Sequence, residues 1–232
     1  LVGVGSHGAF LQELRGRTLE DISLSVLVDG KKKVSEKGDI LFTHFGVSGP
    51  TVLILSGIVI DALAAGRSVA LSLHLRPANT AQELAPILQR EFESSGTITL
   101  SQYLKDTLPK SFALLFERRC AIEPGKRCSK ISREERKRIV LCFTDFRINI
   151  TKPRPIEEAT ITRGGVSLEE INPQTMESRI VHGLFFCGEM IDVDGMSGGY
   201  NLQAAFSTGY LAGKSAAQMQ KRREGIQAPK IN

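Results

Sequence analysis

Apolar and polar positions alternate in several short segments of the chain, and these segments predict β-strands. The first is 22–28, "ISLSVLV", and the Asp-Gly pair at 29–30 is typical of a two-residue hairpin turn. The chain returns through "KKKVS" as an exposed strand, and "GDILFT" is predicted as a separate third strand. Further strands are predicted in alternating or short apolar segments at 68–75, 146–150, 159–162 and 184–187.

Helix signals fill the middle of the chain, residues 80–144. Thr80 with Glu83, and Ser132 with Glu135, have the spacing of a capping box, which marks a helix start. Two further short helices are expected between these starts. The sequence therefore predicts an α+β fold in which a small helical subdomain is inserted between two parts of a β domain.

Composition and charge set the broad class. The 232 residues are 41% hydrophobic, which is ordinary for a globular protein, and 30 basic against 25 acidic residues leave a net charge of +5. This balance does not by itself indicate a nucleic-acid partner. The basic run at 126–138 is interpreted as a solvated helix face because Glu134 and Glu135 interleave with the cations.

Four cysteines without a Cys-x-x-Cys pair argue against structural zinc and favour free thiols in a reducing compartment, so we predict a cytoplasmic protein. The chain opens without the charged and apolar segments of a signal peptide. The apolar segment 51–66 is too short to span a membrane and contains Asp61.

The segment "GVGSHG", residues 3–8, matches the dinucleotide fingerprint G-x-G-x-x-G, and Asp29 follows at a suitable distance. The motif is meaningful only after a strand and before a helix, and just two residues precede it here. The strand that reaches Asp29 also runs into a hairpin rather than a second βα unit. We interpret the segment as a chance match, with a small nucleotide-binding domain as the alternative.

The glycines near the C-terminus have a more suitable context. Gly188 and Glu189 follow the predicted strand 184–187, where α/β sheets bind ligands, and a carboxylate there can accept hydrogen bonds from ribityl or ribose hydroxyls. Gly198 and Gly199 open a helix rich in small residues. Backbone N–H groups at a helix start bind anionic groups, and the N1/O2 edge of a reduced flavin is anionic. The alternative is a closely packed helix without a ligand.

Other candidate residues are weaker. A second diglycine, Gly164–Gly165, is either a turn or another close approach of backbone to a cofactor. Thr43 and His44 are candidates for the substrate side of a site, with a structural histidine as the alternative interpretation of His44. Ser48 lacks the setting of a hydrolase nucleophile and is predicted to cap the helix that begins at Pro50.

Three side chains beside the C-terminal glycines also invite a chemical interpretation. Asp192 and Asp194 are either paired acids or residues of a solvated loop. Cys187 is predicted to be buried, since it lies in an apolar segment and has no partner cysteine nearby in sequence. We assign no catalytic residue and no metal ligand.

Two long segments, "GDILFTHFGVSGPTVLILSG" and 159–213, resemble a bacterial family of FAD-dependent flavoproteins. This family comprises NAD(P)/FAD-dependent oxidoreductases similar to aminoacetone oxidase and bile-acid reductase. The resemblance implies a β-barrel insert that carries a helical bundle, within an FAD domain of the glutathione-reductase type. The implied domains are a β-barrel at 1–79 and 145–162, a helical subdomain at 80–144, and the C-terminal strand–helix part of the FAD domain at 163–232.

The resemblance also implies the site. Gly188 and Glu189 are expected at the ribityl and pyrophosphate part of FAD, and Gly164 and Gly165 beside the ring. Gly198, Gly199, Tyr200 and Asn201 are expected under the ring. The implied activity is oxidation or reduction of a small molecule, with NAD(P)H as a candidate electron donor. We expect neither a membrane nor a nucleic-acid partner.

The sequence departs from the family in one respect, because the dinucleotide loop of the family does not occur in it. We therefore expect a C-terminal portion that is inactive by itself and whose FAD site is completed by an N-terminal half. A dimer is one way to cover the apolar face that an absent N-terminal half would leave exposed. The alternative function is a non-catalytic module that binds a substrate or partner without FAD.

Overall fold

The computed structural model describes residues 4–5, 13–196 and 198–226, so most of the segment "GVGSHG" lies outside the described residues. The chain divides into two compact units, residues 2–158 and residues 159–232. No helix in the described part of the chain is long and apolar enough to cross a bilayer.

The first unit is built on an antiparallel sheet of seven strands that curls into a half-barrel, with the order β6-β5-β2-β3-β4-β1-β7. The predicted α+β class and barrel strands are confirmed. Val4 and Gly5 form β1, which pairs antiparallel with β4 and β7. A dinucleotide fingerprint needs a parallel βαβ setting, so this pairing supports the interpretation of "GVGSHG" as a chance match. The strands are β1 Val4–Gly5, β2 Thr18–Val28, β3 Lys31–Phe42, β4 Gly46–Ser48, β5 Val69–His74, β6 Phe146–Ile150 and β7 Lys152–Pro153.

The hairpin between β2 and β3 forms as predicted. Asp29 and Gly30 have φ angles of 50° and 75°, the left-handed conformation that a tight two-residue turn requires. The prediction of two separate strands after the turn is wrong, since β3 is continuous from Lys31 to Phe42. Gly38, taken as a strand boundary, lies inside β3. A Cβ there would lie 2.5 Å from Thr51 Oγ1, so the glycine allows a helix to approach the strand.

The first unit contains five of the described α-helices. They are α1 Pro50–Ala64, α2 Ala81–Ser94, α3 Leu100–Thr107, α4 Lys110–Arg119 and α5 Arg133–Thr144. Helix α1 packs on β3, and the other four form the predicted insert between β5 and β6. Both predicted capping boxes are present. The prediction that Ser48 caps α1 is wrong, because Gly49 occupies the N-cap position and makes no side-chain cap hydrogen bond.

The core of the first unit joins the sheet to the inserted helices. Phe112 of α4 stacks on Phe146 of β6 at 5.0 Å between ring centroids, and Phe116 meets Phe143 of α5 at 4.6 Å. All four rings are buried. Because aromatic side chains bury large apolar areas, these contacts hold the insert on the sheet.

The second unit has little regular structure before its long helix α6, Tyr200–Ile226. The predicted strands 159–162 and 184–187 are wrong: neither forms a strand, and Phe185 makes only an isolated bridge to Glu177. A short apolar run becomes a strand only when a neighbouring strand pairs with it. The buried core of this unit consists of Ile171, Met176, Ile191 and Ala212.

Candidate cofactor site

The start of α6 follows two glycines with left-handed backbone. Gly198 and Gly199 have φ angles of 128° and 90°, which side chains rarely tolerate, and both residues are exposed. The helix is established at once, because Gln203 N donates to Gly199 O at 3.0 Å. Its first-turn N–H groups have no intrahelical acceptor and carry the positive end of the helix dipole. The arrangement is suited to an anionic or electron-rich group.

Asn201 fixes the loop that leads into this helix. Its Oδ1 accepts a hydrogen bond from Gly195 N at 2.7 Å, and its Nδ2 donates to Gly195 O at 2.9 Å. A Cβ on Gly195 would lie 3.0 Å from Tyr200 Cβ, so the loop also lies close to the helix. We name this pair of hydrogen bonds the Asn201–Gly195 clamp. The side-chain amide of Asn201 is thus occupied by the loop backbone, and Asn201 acts on the site by positioning.

The other diglycine runs beside the segment that follows Gly188. Val166 N donates to Met190 O at 2.9 Å and Asp192 N donates to Val166 O at 3.0 Å, which gives a short parallel bridge. A Cβ on Gly165 would lie 2.6 Å from Met190 O, so only glycine fits there. Gly164 has no atom within 4 Å of its Cβ position and remains open on that side.

The carboxylate of Asp192 accepts from Gly164 N at 3.1 Å and so ties the first residue of the diglycine to the neighbouring segment. Asp192 and Asp194 are both exposed. Asp192 therefore has a local structural role, which sequence reasoning left open.

Gly188 and Glu189 form a 3-10 turn with Met190, and this turn packs against α6. Gly188 N donates to Thr208 Oγ1 at 3.0 Å, and the Thr208 hydroxyl donates to Ala204 O at 2.7 Å. The side chain of Glu189 is exposed. Sequence reasoning missed Thr208, whose only signal is a hydroxyl within an otherwise small and apolar helix segment.

Thr43 and His44 lie in the first unit, between β3 and β4. Thr43 Oγ1 is buried and makes no hydrogen bond within the described part of the chain, whereas His44 is exposed. The centroids of the His44 and Phe45 rings lie 5.0 Å apart. The Arg154 guanidinium also lies over the Phe45 ring, 4.2 Å from its centroid. A hydrogen bond from Arg154 holds the pKa of Glu158 below its usual range, and the charge of His44 acts in the same direction.

Helix α6 exposes a row of large apolar side chains. Leu202, Phe206 and Tyr210, four residues apart, are 65%, 71% and 73% exposed. Residues four apart lie on one helix face, so this is a continuous apolar stripe. A pocket of about 350 Å³ opens in the second unit beside α6, where Ser207 and Thr208 contribute to its lining. Its apolar lining includes Leu168, Ile171, Met176, Ile191, Val193 and Leu211.

The half-barrel with its helical insert identifies a class, the flavin-dependent oxidoreductases that contain a barrel and an H2TH domain. Within it, the chain belongs to the HI0933-like family. Residues 1–161 match the family model described as "HI0933-like protein barrel and H2TH domain". The predicted resemblance is confirmed by this match.

Three curated relatives are similar over most of the chain. The 3-dehydro-bile acid delta(4,6)-reductase of Clostridium scindens is 26% identical over 198 residues, 85% of this chain and 48% of that protein. The ribosomal RNA dihydrouridine synthase of Escherichia coli is 29% identical over 210 residues, which is 90% of this chain and 50% of that protein. That of Haemophilus influenzae is 30% identical over 200 residues, 86% and 47%. The chain spans about half the length of these relatives.

Proposed function

We propose that this chain forms part of a flavin-dependent reductase that uses FAD. The observation that carries the proposal is the start of α6, where Gly198, Gly199 and the Asn201–Gly195 clamp present the first-turn N–H groups on a fixed loop. The residues present fit a flavin. An anionic ring edge needs such donors, and a flat ring needs the open backbone that Gly164 and the Gly198–Gly199 pair provide.

Each part of the site has a distinct task in this proposal. The N–H groups that open α6 would hold the anionic edge of the ring, and the exposed carboxylate of Glu189 would accept hydrogen bonds from ribityl or ribose hydroxyls. The bridge between Val166 and Ile191 keeps the open face of Gly164 in place. A bound reduced flavin supplies a hydride. The protein residues named here hold and orient the ring and carry no assigned proton transfer.

The activities of the named relatives favour one reaction class, the reduction of a carbon–carbon double bond. Dihydrouridine is uridine with a saturated ring bond, and a delta(4,6)-reductase saturates ring double bonds. We propose the same class here: a bound reduced flavin would supply the hydride, water is the proton source compatible with the absence of an assigned proton donor, and NAD(P)H is the proposed electron donor. The relatives act on two substrate classes, a small ring system and a base within an RNA.

The second unit supports a further part of the proposal, namely that additional polypeptide completes the site. Within the described residues, the buried core of this unit is formed by Ile171, Met176, Ile191 and Ala212, while Leu202, Phe206 and Tyr210 stay exposed along α6. Exposed apolar rows of this kind mark contact surfaces. We propose that an N-terminal half, of the kind present in the longer relatives, covers this stripe and binds the remainder of FAD. A second copy of the chain is the alternative cover.

The test is the visible absorption spectrum of the protein extended to the length of its relatives, recorded after desalting with added FAD or FMN. We expect bound FAD in the wild type and a roughly 5- to 150-fold weaker affinity in Asn201→Ala, since two hydrogen bonds of about 0.5–1.5 kcal/mol each hold the loop. Gln203→Ala removes an exposed amide two residues further along the helix and serves as the control, with unchanged binding expected.

A colourless protein at that length would refute the flavin proposal and favour the non-catalytic module. The same spectrum of the 232-residue chain alone measures how much the second unit contributes. A nicotinamide donor is tested by anaerobic addition of NADPH or NADH. If the visible absorption band of the flavin persists after addition of NADPH and after addition of NADH, NAD(P)H is excluded as the reductant.

A further inference from the structure

The segment that links α4 to α5 concentrates positive charge. Residues 118–138 contain nine lysines and arginines and three glutamates. The net positive charge of this stretch alone is therefore larger than the net charge of +5 of the whole chain. The interleaved glutamates led to the interpretation of a solvated helix face. The structure allows each of the nine cations to be assigned to a partner or to none.

Five of the nine cations have partners within the fold. Arg118 pairs with Glu13, Lys126 with Glu135 and Lys137 with Glu134. Arg119 lies over the Phe146 ring and donates to Arg147 O, and Arg138 donates to the carbonyls of Cys120 and Ala121 at the end of α4. These contacts use two of the three glutamates and explain why those five residues are basic.

The other four cations are Arg127, Lys130, Arg133 and Arg136, which we name the basic turn. Among the described residues none of them has an acidic partner, and the first three are exposed. They lie within ten residues, around the 3-10 turn Cys128–Lys130 and the first turn of α5. The third glutamate of the stretch, Glu123, is exposed and forms no ion pair among the described residues.

The backbone of the basic turn is held in place. Leu100 N donates to Lys126 O at 2.9 Å, Cys128 N donates to Ile98 O at 3.0 Å, and Ser129 Oγ donates to Gly96 O at 2.9 Å. Cys128 is buried in the core. Cationic side chains on a fixed backbone lose less conformational entropy when they bind a ligand. A lysine that serves only to keep the surface hydrated does not require a fixed backbone.

We propose that the basic turn binds the phosphate backbone of an RNA. The inference rests on the proposed function for the reaction and selects, from its two substrate classes, a base presented within an RNA. Unpaired arginines on a fixed surface suit phosphate oxygens, because the guanidinium group donates in two parallel directions. The proposal departs from the sequence-based expectation that no nucleic acid binds, which the charge balance of the whole chain had favoured.

The experiment measures binding of a fluorescein-labelled RNA hairpin to the 232-residue chain by fluorescence anisotropy between 50 and 200 mM KCl. The test variant is Arg127→Gln/Lys130→Gln/Arg133→Gln. The control is Lys31→Gln/Lys32→Gln/Lys33→Gln, which removes the same charge from three exposed residues of the β2–β3 hairpin. Circular dichroism melts of both variants check that the first unit remains folded.

We expect the test variant to bind weakly at 50 mM KCl and the control to bind like the wild type. Three lost phosphate contacts reduce the slope of log affinity against log salt concentration by roughly 2 to 3. The ratio of wild-type affinity to variant affinity is therefore expected to fall roughly 20- to 40-fold between 50 and 200 mM KCl. Equal weakening in both variants would overturn the proposal in favour of diffuse charge. Binding to phosphatidylglycerol vesicles but not to RNA would also overturn it.

Flavin absorption separates this proposal from the proposed function. In the protein extended to the length of its relatives, we expect the test variant to keep its flavin, because none of the three substituted residues belongs to the proposed cofactor site. Loss of RNA binding with flavin retained supports the basic turn. RNA binding without any flavin refutes the proposed reaction and leaves the RNA surface standing.

Discussion

Substitution of Gly165 by alanine provides a direct test of the bridge that holds the second diglycine. The added Cβ would lie 2.6 Å from Met190 O and 3.1 Å from the Ile191 carbonyl carbon, both of them backbone atoms that cannot rotate away. The two segments must therefore separate. The hydrogen bonds from Val166 N to Met190 O and from Asp192 N to Val166 O are then lost.

The expected cost follows from these contacts. Two hydrogen bonds contribute about 1–3 kcal/mol together, and alanine at a left-handed φ adds roughly 1–3 kcal/mol of strain. Gly164→Ala serves as the control for the strain alone, because Gly164 also has positive φ but has no atom within 4 Å of its Cβ position. The difference between the two variants is thus about 1–3 kcal/mol, all of it local to residues 164–192.

Hydrogen exchange detected by mass spectrometry is the appropriate assay, since it reports local opening. We expect peptides that contain Val166 and Asp192 to exchange roughly 5- to 150-fold faster in Gly165→Ala than in Gly164→Ala, because 1.4 kcal/mol corresponds to a factor of ten. Equal exchange in the two variants would refute the reasoning, since it would mean that the contact with Met190 relaxes without breaking the bridge.

Two further predictions concern the first unit. Phe112→Ala removes a fully buried ring and is expected to cost about 3–5 kcal/mol in urea unfolding, whereas Leu114→Ala, on the same helix but 47% exposed, is expected to cost less than 1 kcal/mol. The hydrogen bond from Lys126 lowers the pKa of Glu135 below 4.5, so the contribution of Glu135 is present above that pH and is lost as the pH falls through the lower folded-state pKa. Glu135→Gln is therefore expected to destabilise the protein at pH 7 by up to about 1 kcal/mol, the scale of one partly exposed ion pair, and the difference should shrink as the pH falls through that folded-state pKa; a difference that does not change with pH would contradict the assignment.

Features determined by a few neighbouring residues were predictable from the sequence. The hairpin at Asp29–Gly30 needs only two residues that accept left-handed backbone, and each capping box needs only a hydroxyl and a glutamate three positions later. These devices form wherever the local chemistry is present. The order of the longer elements of the first unit, β2, β3, α1, β5, the helical insert and β6, followed from the same local signals, and so did the helix that begins after Gly199, whereas the short strands β1, β4 and β7 were not predicted.

Features that depend on distant partners were not predictable. The segment 184–187 has the composition of a strand but finds no strand to pair with, and Gly38 was mistaken for a boundary because the approach of Thr51 cannot be read locally. The contact of Thr208 with Gly188 joins residues 20 positions apart. Polar contacts between a side chain and a distant backbone group leave no periodic pattern in the sequence.

The two units differ in how they can support function. The first unit has an extensive aromatic and aliphatic core, so its surface features, including the basic turn, lie on a scaffold that needs no ligand to persist. The second unit has a core of four residues and holds its glycines through individual polar contacts such as the Asn201–Gly195 clamp. A site of that kind gains most from an added partner, because each newly covered apolar side chain of α6 stabilises the unit by about 1.5–3 kcal/mol. It follows that cofactor binding and coverage of the α6 stripe should stabilise each other, since both act on the same loop and helix.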